Sequence, residues 1–226
     1  MTNTTTPVDT WEMVLAHRLY RREFRILPAV IRAVPAGDLA RSRTVGGHLA
    51  TVVTMLHHHH EAEDELLWPI MLDRVGLHAD LVHRMEAQHS RLEGLLSRLI
   101  PLNGSWRATA SADTRDQLAD LLAQASAVLD EHLDDEERDL LPLVAAHVTQ
   151  AEWDAMNKRA RGGPPVNLKL ALIQLGAMLE DATAEERRRF LTELPPPARL
   201  LWRMFGKSTY AKARDQVRRG PARRAA

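Results

Sequence analysis

The 226-residue sequence contains no cysteine and only 4% aromatic residues. The missing cysteine excludes a disulfide scaffold, thiolate zinc, iron–sulfur clusters and a cysteine nucleophile. It fits a reducing compartment, and a cytoplasmic location is the expectation. The opening segment MTNTTTPVDT has neither a basic nor an apolar stretch, so no signal peptide is expected. No apolar run approaches the roughly 20 residues that span a bilayer, so no transmembrane segment is expected either. Net charge is absent overall, 30 Lys+Arg balancing 30 Asp+Glu, but the balance hides an asymmetry. Residues 199–226 hold nine Lys/Arg against Asp215 alone, so this end carries +8 and residues 1–198 carry −8. Its last stretch, 207–226, has one aromatic residue, Tyr210, and no recognised nucleic-acid motif, so nucleic acid is not an expected partner. An acidic partner and the acidic body of the same chain fit it equally.

What is present is helical periodicity, with no convincing strand alternation. The pattern predicts a first helix opening at Asp9, with Glu12 completing a capping box, and broken by Pro35 and Gly37. A second helix is expected over 41–73, a third over 78–100 with Pro101 as its stop, and a fourth over 114–147. Four long amphipathic helices with short connections read as an all-α, antiparallel up-down four-helix bundle with a helical C-terminal extension. Thr149 to Glu152 is a second capping-box pattern, opening a helix with Trp153 and Met156. RGGPPVN marks a boundary, shorter helices follow, and the basic end reads as frayed. The expected units are 9–148, 149–206 and a flexible tail at 207–226.

An internal repeat carries the chemistry. When HHHHEAEDELLWP and HLDDEERDLLP are aligned on Pro69 and Pro142, His59 falls on His132 and Glu63 on Glu136. Both copies read His-x3-Glu-x5-Pro, with an acid after the glutamate, Asp64 or Glu137. His17 lies 42 residues before His59, and His89 lies 43 before His132. The chain therefore uses one helix pair twice, with one His on the first helix and a His-x3-Glu on the second. Residues four apart on a helix project the same way, and here that face is otherwise apolar. A buried ionised carboxylate is costly unless it is paired or metal-bound. Four imidazoles and two carboxylates in one bundle core suit a pair of metal ions, each with two His and both Glu bridging. This leaves room for an oxo or hydroxo bridge and an open position for a small ligand. Imidazole with carboxylate suits iron, or less well manganese, rather than structural zinc.

The motifs HRLYRREF, HHHHEAEDELLWP, EAQHSRLEGLL and EHLDDEERDLLP together resemble the hemerythrin-like (HHE cation-binding) domain. The resemblance covers about residues 9–148 and implies an up-down four-helix bundle with a non-haem di-iron centre. The ligands it implies are His17, His59 with Glu63, His89, and His132 with Glu136. Oxygen-carrying hemerythrins have an added third-helix His and a His-x4-Asp on the fourth helix. Here the residue four after His89 is Glu93, and the fourth-helix carboxylate is Glu136, a symmetric bacterial-type set. Relatives of this type are associated with dioxygen or nitric oxide binding, peroxide chemistry, and iron or redox sensing. The implied function is binding or redox processing of dioxygen, nitric oxide or hydrogen peroxide, with an external electron donor. The alternatives are a sensor that signals through its extension and an iron-binding protein without turnover.

Other residues stay open at this level. His57 with Glu61 offers a rival register, and His58 or Glu61 an alternative ligand; only His59/Glu63 keeps the distance to proline seen in the second copy. His48 and His78 each lie eleven residues before a candidate ligand, as gating or ordinary histidines. Tyr20 sits one turn beyond His17, as a donor to a bound oxygen species, a redox phenol, or a core aromatic against Phe24. His60 is expected to face solvent, and His83 and His147 have no partner at convincing spacing. Glu86-x2-His89 has no second copy, which argues against a ferritin-like site. Pro69 and Pro142 are expected to kink or end their helices below the site.

Overall fold

A computed structural model describes residues 7–162 and 167–219 of the chain. Among these residues the only regular elements are helices, with no strand. The bundle consists of α1 (Trp11–Arg32), α2 (Leu39–Ala62) with α3 (Trp68–Arg74), α4 (Ala79–Thr109), and α5 (Ala112–Asp135) with α6 (Leu141–His147). Short connections make neighbours antiparallel. Helix α1 packs on α2 and α5, and α4 packs on the same two. No helix among the described residues is long and apolar enough to cross a membrane.

A π turn, Glu63–Leu67, joins α2 to α3, and a second, Glu136–Leu140, joins α5 to α6. Each opens on the repeated glutamate and closes just before the repeated proline. The Trp68 N–H bonds to the Glu63 carbonyl, and the Leu141 N–H to that of Glu136. Pro69 and Pro142 have no N–H to offer and would clash with the carbonyl four residues back. Widening the turn before each proline lets the helix continue, so the prolines neither end nor sharply break it. Such π bulges are frequent at functional sites.

Three other expectations are corrected. The first helix has no capping box: Thr10 is its N-cap without a side-chain bond, and Glu12 instead reaches Arg161 at 3.2 Å. Helix α4 runs through exposed Pro101 to Thr109 and ends at Ala110, which is left-handed at φ 50°. Solvent can satisfy the carbonyl that Pro101 leaves free, while buried Asn103 and Trp106 hold the next turns; Asn103 Nδ2 donates to the Gly46 carbonyl at 2.9 Å. The basic end is also more ordered than its composition suggests, because Lys207–Arg218 forms a helix.

The extension comprises α7 (Gln150–Ala160), α8 (Leu168–Leu179), α9 (Ala184–Glu193), α10 (Pro196–Leu201) and, through a third π turn, α11 (Lys207–Arg218). Helix α7 opens on the expected Thr149/Glu152 capping box. The Gly/Pro boundary expected at RGGPPVN falls largely on 163–166, and the last residues of the basic end on 220–226, outside the described residues. Gly176 lets α8 and α11 approach, since a Cβ there would lie 2.2 Å from the Tyr210 ring. Charge holds α11 to the body. Arg218 reaches Glu180 at 2.7 Å and Glu23 at 3.0 Å, and the Tyr210 hydroxyl donates to Glu180 at 2.5 Å. Arg41 donates to the carbonyls of Gln216 and Val217, capping the helix C-terminus. Through Arg214 and Arg218 the described part of the basic end thus meets acids of its own chain.

Candidate metal centre

Two apolar clusters fill the bundle. One contains Phe24, Leu49, Leu56, Leu96 and Leu129; the other contains Trp68, Met71, Met85, Leu140 and Trp153. Between them lies a polar layer that brings together all six sequence-derived residues: His17, His59, Glu63, His89, His132 and Glu136. None is more than 5% exposed.

Each glutamate faces one histidine from each of two groups. Glu63 carboxyl oxygens lie 3.2 Å from His59 Nε2 and 3.5 Å from His89 Nε2. Glu136 Oε2 lies 3.3 Å from His17 Nε2 and 3.7 Å from His132 Nε2. Ligand-type atoms of His17, His59 and Glu63 fall within 4.8 Å of one another. Those of His60, Glu63, His89 and His132 do the same, so Glu63 is common to both groups.

The outward-facing ring nitrogens fix the tautomers. His17 Nδ1 donates to Glu137 Oε1 at 2.9 Å, and Arg21 holds Glu137 at 2.6 Å. His89 Nδ1 donates to Asp64 Oδ1 at 2.8 Å, which also accepts from Trp68 Nε1 at 2.7 Å. Gln88 donates to Asp135, which turns its Oε1 toward His132 Nδ1 at 3.3 Å. The acid after each repeated glutamate therefore grips the lone histidine of the other helix pair. Carboxylate partners of this kind orient metal-binding imidazoles and raise their basicity.

With their protons directed outward, the Nε2 atoms present lone pairs inward. His89 Nε2 and His132 Nε2 meet at 3.1 Å, two acceptors face to face. His17 Nε2, His59 Nε2, His60 Nε2 and all four carboxyl oxygens of Glu63 and Glu136 are buried without a hydrogen-bond partner. Buried polar atoms normally have partners, so so many orphans in one layer call for a cation. Burial and the neighbouring Glu136 push the Glu63 carboxyl well above the usual carboxylate range, and burial raises Glu136. Burial and neighbouring imidazoles drive His59, His60 and His132 well below the ordinary histidine range, keeping them neutral and able to coordinate. The oxygen and nitrogen donor set therefore fits iron.

The hemerythrin HHE cation-binding domain profile matches residues 8–144. The chain belongs to this family. No significant match was found among curated proteins or among solved structures. Membership of the hemerythrin HHE family implies cation binding, typically of iron, and the His/Glu layer is where this member could hold it.

One member of the layer runs against the sequence expectation. His60 was expected to face solvent, yet it is 8% exposed and stacks on His89 with ring centroids 4.1 Å apart. The reason lies in the repeat: His60 aligns with Leu133, which is fully buried, so this position faces the core in both copies. The remaining histidines stay outside the layer. His57 and Glu61 pair with each other at 3.0 Å near the surface. His58 packs against Gly162, whose φ of +66° and tight fit leave no room for a Cβ, 2.5 Å from His58 Nδ1. His48 bonds to Glu23 at 2.8 Å, and His83 to Glu86, while His78 and His147 are exposed. Tyr20 is buried, donates its hydroxyl to the Met55 carbonyl at 3.1 Å, and lies 5.2 Å from the His59 ring.

Proposed function

We propose that this protein is a non-haem di-iron protein that binds and redox-processes a small ligand: dioxygen, nitric oxide or hydrogen peroxide. The observation that carries this reading is the pair of orphaned carboxyl groups, Glu63 and Glu136, each facing one imidazole from either side of the layer. His17 and His59 would hold one ion, His89 and His132 the other, and Glu63 and Glu136 would bridge them. His60 is a further candidate on the His89/His132 side. Bound iron would supply an open coordination position and the electrons exchanged with the ligand.

The chain's own residues prepare that chemistry. Glu137 and Asp64 hold His17 and His89 in the tautomer that turns Nε2 inward. Leu56, Leu92 and Leu129 on one side, and Trp68 and Met85 on the other, close the layer off along the bundle axis. With its hydroxyl committed to the Met55 carbonyl, Tyr20 shapes the pocket beside His59.

The test is metal analysis of protein expressed without an affinity tag, followed by mixing the diferrous form separately with dioxygen, peroxide and nitric oxide. The expected result is about two irons per chain, from the division of six ligands between two ions, and an absorption change with at least one ligand. If none of the three changes the spectrum, the redox reading fails.

A further inference from the structure

A cavity of about 900 Å³ lies between the bundle and the extension. Met13, Ala16, Ala50 and Met55 line its bundle side, and Leu175 and Phe190 belong to the extension side. Tyr20 and His59 are also part of its wall, so it reaches the outer face of the candidate metal layer. Small-molecule sites are typically ~300–1,000 Å³, mainly apolar, with a few polar groups that fix orientation. A ligand the size of water or dioxygen takes only on the order of 30 Å³. The cavity is built for something much larger.

The gap follows from how α8 is held. Leu172 and Leu179 join it to Leu15 of α1 and to Trp202, and the Gly176–Tyr210 contact joins it to α11. Between these anchors the facing side chains are short: Ala50, Thr51 and Thr54 on α2, and Ala171 on α8. Cations lie on the rim. Arg161 is largely exposed and shares Glu12 at 3.2 Å. Lys158 is exposed and, among the described residues, forms no ion pair. Its neighbour Arg159 is already committed to Glu61 and Glu65.

We propose that this cavity binds an elongated aliphatic carboxylate. Its carboxylate lies at Lys158 and Arg161, and its chain runs along the apolar walls. The cavity stands independently of any metal; that its occupant lies beside the metal ions rests on the functional reading above.

The test is a fluorescence titration of the full chain with cis-parinaric acid, with dodecanoate and dodecanol as competitors, on iron-loaded and chelator-treated protein. Saturable binding at one site per chain is expected, with displacement by dodecanoate. Dodecanol should compete about fivefold less well, the scale of one exposed ion pair, and Lys158→Glu should remove that preference. Ala50→Trp and Ala171→Trp, which fill the cavity from opposite walls, should each weaken binding by about tenfold or more. Their helical circular dichroism should stay intact. His132→Ala, which lies outside the cavity, should lose metal and still bind the probe. Absence of saturable binding, or equal binding by both filled variants with intact folds, would overturn the proposal. A chain that binds the carboxylate but takes up no iron would sink the metal reading alone. A chain that loads iron but binds no carboxylate would sink this one alone.

Discussion

Glu63→Met separates the stability of the chain from its capacity for metal. Both carboxyl oxygens of Glu63 are buried and lack hydrogen-bond partners, and burial beside Glu136 disfavours the charged form. Methionine has a similar unbranched length and no group that must be satisfied. An unsatisfied buried polar group costs about 1–3 kcal/mol, so the metal-free variant should be more stable than metal-free wild type by roughly that amount. For a chain of this size each kcal/mol shifts Tm by roughly 2–4 °C, giving a rise on the order of 2–12 °C. With iron present the order should invert. The wild type gains the free energy of binding, whereas the variant lacks the one carboxylate shared by both ligand groups. Thermal unfolding of chelator-treated and iron-loaded samples, with iron content measured on each, reads both effects. A chelated variant that melts below chelated wild type would show that Glu63 is held by contacts independent of metal. An iron-loaded variant with undiminished metal content would refute the bridging role.

Three further outcomes are expected. Asp64→Asn and Glu137→Gln should each weaken iron binding by about 10–100-fold, the usual effect of removing a partner behind a metal-binding imidazole, as read by competition with a chromophoric chelator. Iron affinity should fall on acidification, because Glu63 and Glu136 have raised pKa values and must release protons to coordinate; an affinity flat between pH 7.5 and about pH 5 would contradict that assignment. Burial alone would raise the Glu23 carboxyl, but the hydrogen bond and charge of His48, with Arg22, hold it down to about 2. Its folded pKa is depressed, so its stabilisation is present above the unfolded value of 4.5 and is lost as pH falls toward 2. That is about 3 kcal/mol. Urea unfolding of Glu23→Gln should therefore depend much less on pH across that window, and an unchanged acid profile would count against the His48–Glu23–Arg218 network.

The bundle was legible because its sequence signals act locally and twice. The His-x3-Glu spacing places two side chains on one face, and its second copy selected His59/Glu63 over His57/Glu61, a pair that lies near the surface. The polarity of the HHHH run points His60 outward, whereas its alignment with buried Leu133 places it at a core position. Asp64 and Glu137 were visible as acids after the glutamates, but their crossing to His89 and His17 depends on which helices meet. Pro101 signalled a helix stop by local propensity, and the burial of Asn103 and Trp106 outweighed it. The order of α11 was hidden because Arg218 is paired with Glu23 and Glu180, 195 and 38 residues away in the chain.

The two π turns make length the guarded quantity in this sequence. Each holds one residue beyond an α turn, so the helix below it is rotated by about 100° from its uninterrupted course. Trp68 and Met71 after the first turn, and Leu141 and Val144 after the second, reach the core only in this rotated phase. The intervening residues are largely polar, with Asp64, Glu65 and Arg138 exposed, and have the composition of a surface that tolerates insertion. They do not have that freedom. Losing a single residue between Glu63 and Leu67 would leave the ligands above in place and swing Trp68 out of the core below. Substitution at Glu65 or Arg138 is mild, while deletion beside either one dislocates half of a helix.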